Sequence, residues 1–324
     1  MCTSITLKTD HFYFGRNLDL ECDFAQEVLI TPRNLPITCK NGMVLNEHYA
    51  MIGMGTKVDG IALYADGVNE KGLAIAGLNF PGFADYKDPQ EGKLNITISE
   101  IIPIILGKCE TVEEAKALLH NMVITNIPYG PGFPVAPLHW MLADKNECVV
   151  IEQEKDGMHV YDNPFGVLTN NPPFPFHQHN MNQYMHLDAN NSVNRFGKDL
   201  PLKTFGQGMG SIGLPGDFSP ASRFVKATFL RANSISEADE MSSVAQGFHI
   251  LDGVAMVKGS VITPQGLPDI TTYASLMNCD ECIYYYKTYN NNQINAVKMF
   301  DENIDGNELI VYPLVLTQQV HYHN

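Results

Sequence analysis

Hydrophobic and polar residues alternate from the first positions of the chain. Thr3-Ser4-Ile5-Thr6-Leu7 has the period of two that puts successive side chains on opposite faces of a strand. A second strand-like run ends in Phe14-Gly15-Arg16-Asn17-Leu18-Asp19, so the two read as a hairpin and the terminus is held in place instead of fraying. Strand patterns fill the first 80 residues, helical ones run from about 96 to 121, strands from 138 to 170, helices from 219 to 251 and strands from 271 to 316. Two helix starts are written in side-chain chemistry. Thr111-Val112-Glu113-Glu114 is a capping box, and Ser219-Pro220 supplies an N-cap serine with proline at the first helical position, which places Arg223 in the first turns of a helix. Pro/Gly-rich loops fall at 127–137, 170–176 and 205–220, lengths that usually carry function or assembly. Runs of strands alternating with runs of helices disfavour a βαβ parallel sheet and predict an α+β fold of mainly antiparallel sheets covered by helices.

The 324 residues show no composition break and no internal repeat, so 2–324 reads as one domain. With 21 Lys+Arg against 36 Asp+Glu the net charge is −15, which lacks the basic footprint that nucleic-acid phosphates need. The longest apolar run, at 101–106, is far below the ~20 residues that span a bilayer, so no membrane insertion is expected. The first twenty residues lack the charged start and apolar core of a secretion signal, and the expected location is cytoplasmic. Seven irregularly spaced cysteines (2, 22, 39, 109, 148, 279 and 282) point to reduced thiols rather than a disulfide framework. Cys279-Asp280-Glu281-Cys282 is followed by the strand-like Ile283-Tyr284-Tyr285-Tyr286 where a redox motif wants a helix, and no second Cys/His pair stands at zinc spacing. No metal or cofactor is expected.

The chemistry concentrates at Cys2. A free cysteine is usually a small buried hydrophobe. Position two changes this, because removal of Met1 puts a thiol and a free α-amine on one residue, and an amine with an ordinary pKa of about 7.7–8 can take the thiol proton without a histidine. Arg16, one hairpin away, favours the thiolate by charge. Gly208-Met209-Gly210-Ser211-Ile212-Gly213 matches a dinucleotide fingerprint in letters, but Leu214-Pro215-Gly216 stands where the helix must begin. His177, His179, His321 and His323 have no carboxylate or cysteine partner at a recognisable spacing and read as solvated surface histidines. Two asparagines, in Ala76-Gly77-Leu78-Asn79-Phe80-Pro81 and in Leu168-Thr169-Asn170-Asn171-Pro172, close strand-like runs. Such asparagines commonly just make turns, but their N–H groups can also face a developing oxyanion.

Taken together, Met1-Cys2-Thr3, Phe14-Gly15-Arg16-Asn17-Leu18-Asp19, Gly77-Leu78-Asn79-Phe80-Pro81, Leu168-Thr169-Asn170 and the run from Gly213 to Phe224 resemble the conjugated bile salt hydrolases of the choloylglycine hydrolase family. The resemblance spans nearly the whole chain. It implies an N-terminal-nucleophile hydrolase with an αββα sandwich, usually a homotetramer, that cleaves glycine or taurine from bile acids. By motif it assigns Cys2 as nucleophile, Arg16 and Asp19 as its partners, Asn79 and Asn170 as oxyanion and substrate contacts, and Arg223 as the remaining polar residue. Asn171 is the neighbouring alternative to Asn170, which is preferred because it directly follows Leu168-Thr169. Penicillin V acylases share the family and its chemistry; relatives suited to penicillin V often carry tyrosine where Asn79 stands, which tilts the reading to bile salts. For the sterol, loops near 54–63 and 127–138 offer Met54, Ile61, Ile127, Tyr129 and Phe133, each of which could equally be core. The acidic net charge does not steer an anionic conjugate, so basic residues or backbone N–H groups are expected at the pocket mouth.

Overall fold

The computed structural model describes residues 1–130 and 134–324. Two antiparallel sheets form its centre. The six-stranded sheet runs in the order Val167–Leu168, Cys2–Lys8, Phe12–Leu20, Ile270–Asn278, Ile283–Thr288, Asn291–Lys298. The eight-stranded sheet runs Gly157–Asp162, Cys148–Glu154, Leu138–Ala143, Ala74–Asn79, Ile61–Asn69, Met51–Val58, Glu27–Thr31, Ile310–Pro313. Helices α1 (Ile101–Lys108) and α2 (Val112–Leu119) cover the eight-stranded sheet. A short helix α3 (Phe174–Asn180) precedes α4 (Pro220–Asn233) and α5 (Glu240–Asp252), and these last two lie on the six-stranded sheet, giving the αββα order of layers.

The first strand shows how alternation becomes architecture. Cys2 pairs with Leu18, Thr3 with Asn17 and Ser4 with Arg16. Cys2 and Arg16 face the other sheet, where the Arg16 guanidinium reaches the Gly77 and Ala65 carbonyls. Thr3 and Asn17 face the helices: Arg223 of α4 donates to Thr3 Oγ1, and Asn17 Nδ2 donates to the Leu251 carbonyl of α5. Close approach of α5 needs Gly15, where a Cβ would lie 2.7 Å from Leu276 Cδ1 and 3.3 Å from Leu251 Cδ1. One apolar core joins the two inner faces with the undersides of α4 and α5, through Ile5, Phe14, Val28, Met54, Phe224 and Leu276. A second lies beneath α1 and α2, around Trp140.

The helical stretch read at 96–121 is two helices. Thr97 N–H and the Lys40 N–H bind the Glu100 carboxylate, which makes 97–100 a turn. The chain then breaks after α1, and Thr111 Oγ1 caps α2 by accepting from Glu114 N–H. The loop read at 170–176 already contains the start of α3, because proline is tolerated in a helix's first turn, where its missing N–H has no partner to lose. The expected loop at 54–63 is instead a hairpin, with Met54 paired to Val28 and Asp66 and Ile61 paired to Val58.

Candidate active site

The nucleophile candidate sits at the start of an interior strand and is 4% exposed. Arg16 Nη2 lies 2.9 Å from Cys2 Sγ, so a positive charge bears directly on the sulfur. Arg16 is fully buried, and its Nη1 donates to the Gly77 carbonyl at 2.9 Å and the Ala65 carbonyl at 3.2 Å. Burial alone would lower its pKa, but the negative charges that Cys2, Tyr273 and Asp66 can carry outweigh it and push the guanidinium above its ordinary value.

Asn170 is the hub of the site. Its Oδ1 accepts from Cys2 N–H at 3.0 Å and from Arg223 Nη2 at 2.6 Å, while its Nδ2 donates to the Asn79 carbonyl at 2.7 Å. Arg223 also donates through Nη1 to the Cys2 carbonyl at 2.5 Å. Burial lowers the Arg223 pKa, and the negative charges of Asp19, Cys2 and Asp269 oppose that shift. Ser219 caps α4 as the sequence predicts and so fixes where Arg223 begins. Asn79 ends its strand half-buried, and its carboxamide makes no hydrogen bond among the described residues, which leaves two N–H donors for a ligand.

Asp19 lies on the other side of the terminus. Its Oδ1 accepts from Thr271 Oγ1 at 2.6 Å, and its Oδ2 is buried with no partner among the described residues. Burial raises its pKa, while Arg223, the terminal amine and Thr271 act the other way. The Met1 amine donates to the Asp19 carbonyl at 2.7 Å and to Asp269 Oδ2 at 3.1 Å.

Thus Cys2, Arg16, Asn79, Asn170 and Arg223 form one hydrogen-bonded group, with Asp19 joined through the terminus. The apolar candidates are more scattered. Met54 is fully buried in the core cluster that contains Cys2, Ile61 is half-buried, and Ile127 is 40% exposed. Tyr129 lies under the Lys40 ammonium, 4.6 Å from its ring centre, and Phe133 lies outside the described residues.

Several site residues were not anticipated. Asp66 is fully buried, accepts from Tyr273 Oη and Tyr284 Oη at 2.5 and 2.6 Å, and stands 3.9 Å from Arg16. Its one sequence signal is a carboxylate inside a mainly apolar strand. His177, read as a surface residue, is fully buried: it lies on helix α3, where its ring stacks on Phe224 and its Nε2 donates to the Asn170 carbonyl at 2.8 Å. The dinucleotide-like glycines lie at a 3₁₀ turn, Met209–Ser211. Cys282 is buried, which pushes its thiol up to about 12.

A cysteine at the head of an interior strand, backed by an arginine between two helix-covered sheets, is the arrangement of an N-terminal-nucleophile amidohydrolase. Residues 2–312 match the profile of the linear amide C–N hydrolases, choloylglycine hydrolase family, and the chain belongs to that family. It is 46% identical to a bile salt hydrolase/transferase of Lactiplantibacillus plantarum, over 97% of each chain. It is 44% identical to one of Clostridium perfringens, over 100% of each. A crystal structure of a conjugated bile acid hydrolase from Clostridium perfringens superposes with a TM-score of 0.93 at 43% identity, covering 100% of both chains. A penicillin V acylase from Agrobacterium tumefaciens shares the fold, with a TM-score of 0.77 at 18% identity over 98% of this chain and 94% of that one.

Proposed function

We propose that this chain hydrolyses the amide bond of glycine- and taurine-conjugated bile salts, as a single unit over 2–324 from which Met1 has been removed. The observation that carries this is the contact between Cys2 Sγ and Arg16 Nη2, in a chain whose full-length relatives bear bile salt hydrolase names. The freed α-amine takes the thiol proton, the sulfur attacks the amide carbonyl, and the same amine returns a proton to the departing glycine or taurine nitrogen. Asn79 donates to the oxyanion, Asn170 and Arg223 hold the Cys2 backbone, and Asp19 orients the terminus. Water then hydrolyses the thioester.

Met54, Ile61, Ile127, Tyr129 and Phe133 are assigned to the steroid, and the Lys40 charge beside Tyr129 suits the anionic end of a conjugate. A homotetramer is supported by the apolar residues that segment 185–212 leaves in water, among them Phe196 at 87% and Phe205 at 89% exposure. Seven free cysteines suit the reducing cytoplasm. Among the described residues no helix is long and apolar enough to cross a membrane.

The test is a side-by-side rate measurement on glycocholate, taurocholate and penicillin V at one pH. The expected kcat/KM for a conjugated cholate exceeds that for penicillin V by at least about tenfold, which needs only ~1.4 kcal/mol of differential transition-state binding. Faster penicillin V cleavage reverses the substrate assignment and leaves the nucleophile standing. Light scattering reads the assembly.

A further inference from the structure

Behind Asn170 lie two buried imidazoles that the reaction itself does not use. His139, fully buried and stacked on Phe80 with 4.3 Å between ring centres, faces Thr169 carbonyl oxygen with Nε2 at 3.1 Å and Glu152 Oε1 with Nδ1 at 2.8 Å. His177 faces the next carbonyl, that of Asn170, with Nε2 at 2.8 Å. A carbonyl can only accept, so both Nε2 atoms carry hydrogen. His139 Nδ1 is held against the Glu152 carboxylate, which fixes the orientation of the ring. Among the described residues His177 Nδ1 is buried without a partner, as the remaining lone pair of a neutral ring. Glu152 serves both rings, because its carboxylate also accepts from Phe174 N–H at the start of the helix that carries His177.

We propose that His139 and His177, organised by Glu152, are positioning residues that clamp the consecutive carbonyls of Thr169 and Asn170 and thereby aim the Asn170 carboxamide at Cys2, Asn79 and Arg223. The chain otherwise leaves a strand of two residues at Leu168, so little of its own backbone pairing holds this segment where the site needs it. Burial lowers the His177 pKa, with His139 adding to the effect, so that ring stays a neutral donor. The inference rests on the assignment of Asn170 to the reaction.

The experiment is a double-mutant cycle on glycocholate with His177→Phe, which keeps an aromatic ring against Phe224 and removes the donor, and Asn170→Ala. His177→Phe is expected to lower kcat about 10- to 100-fold with KM within about threefold, the size of effect a misplacement near 1 Å produces. His177→Gln, which restores an N–H, recovers most of the rate. Because the clamp acts through Asn170, adding His177→Phe to Asn170→Ala costs less than about twofold more; multiplied effects overturn the proposal. A wild-type rate for Asn170→Ala also overturns it, with the hydrolase reading intact. Should the wild type cleave no conjugate, a crystal structure of His177→Phe decides: loss of the bond from Cys2 N–H to Asn170 Oδ1 supports the clamp, and an unmoved Asn170 refutes it. If His177→Phe does not fold, His139→Phe, which keeps a ring on Phe80 and removes the donor to the Thr169 carbonyl, takes its place in the same cycle.

Discussion

One guanidinium stands between the Cys2 sulfur and the Asp66 carboxylate: Arg16 Nη2 is 2.9 Å from Sγ and Nη1 is 3.9 Å from Oδ2. Asp66 is drawn the other way by burial, which raises its pKa, while Arg16 and the phenols of Tyr273 and Tyr284 favour its anion. Lysine has one point charge and no fork, so Arg16→Lys cannot reproduce both contacts and is expected to lower kcat at least about 100-fold in steady-state assays. Asp66→Asn leaves Arg16 buried without its carboxylate and should cost about 3–5 kcal/mol in urea unfolding.

Mass spectrometry of the active enzyme should show a chain starting at Cys2. A form that keeps Met1, forced by a blocking extension at the terminus, should be folded and inactive, because its Cys2 nitrogen is an amide that donates to Asn170 and cannot act as a base. Cys2→Ala should abolish turnover while leaving thermal unfolding close to the parent.

Asn79→Ala should reduce kcat roughly 100- to 1000-fold with little change in KM, the usual cost of removing one oxyanion donor. A near-normal rate would move that role to a backbone N–H.

Asp217 supplies a pH dependence with a definite sign. Hydrogen bonds from Ser219 and Ser222 hold its carboxyl at about 2, below the usual 3.8. A depressed carboxylate contributes stability above its unfolded pKa and loses it as pH falls through the folded one. The urea midpoint of the parent should therefore exceed that of Asp217→Asn at pH near 5, and the gap should close between about pH 4 and pH 2. An unchanging gap would assign the effect to shape rather than charge.

The local part of this site is legible in the sequence. Cys2 and Arg16 come from neighbouring strands of one hairpin, and Ser219-Pro220 announces the helix that brings Arg223. What the sequence hides is what long-range pairing assembles. Asp66 meets Tyr273 and Tyr284 across the sandwich, more than 200 residues apart in the chain, and no spacing rule connects them. His177 misleads for a related reason: it has no carboxylate or cysteine partner in sequence because its partner is a backbone carbonyl, and its burial depends on Phe224 from another helix. Asn170 and Asn171 separate only in space, where Asn170 is buried at the hub and Asn171 is half-buried and followed by a cis proline.

The ties on the Met1 amine also set a clock. Asp19 is made early, but Asn170, Arg223 and Asp269, which close over the terminus, leave the ribosome far later. At about 5–20 residues per second, synthesis from Cys2 to Asp269 takes roughly 10–60 s. During that interval the first peptide bond is open to an aminopeptidase, and afterwards the amine is held by a carboxylate and a carbonyl. With Met1 removed as proposed, maturation is a race between translation and trimming. Slow trimming or fast synthesis in a foreign host would yield molecules that are correctly folded and permanently silent.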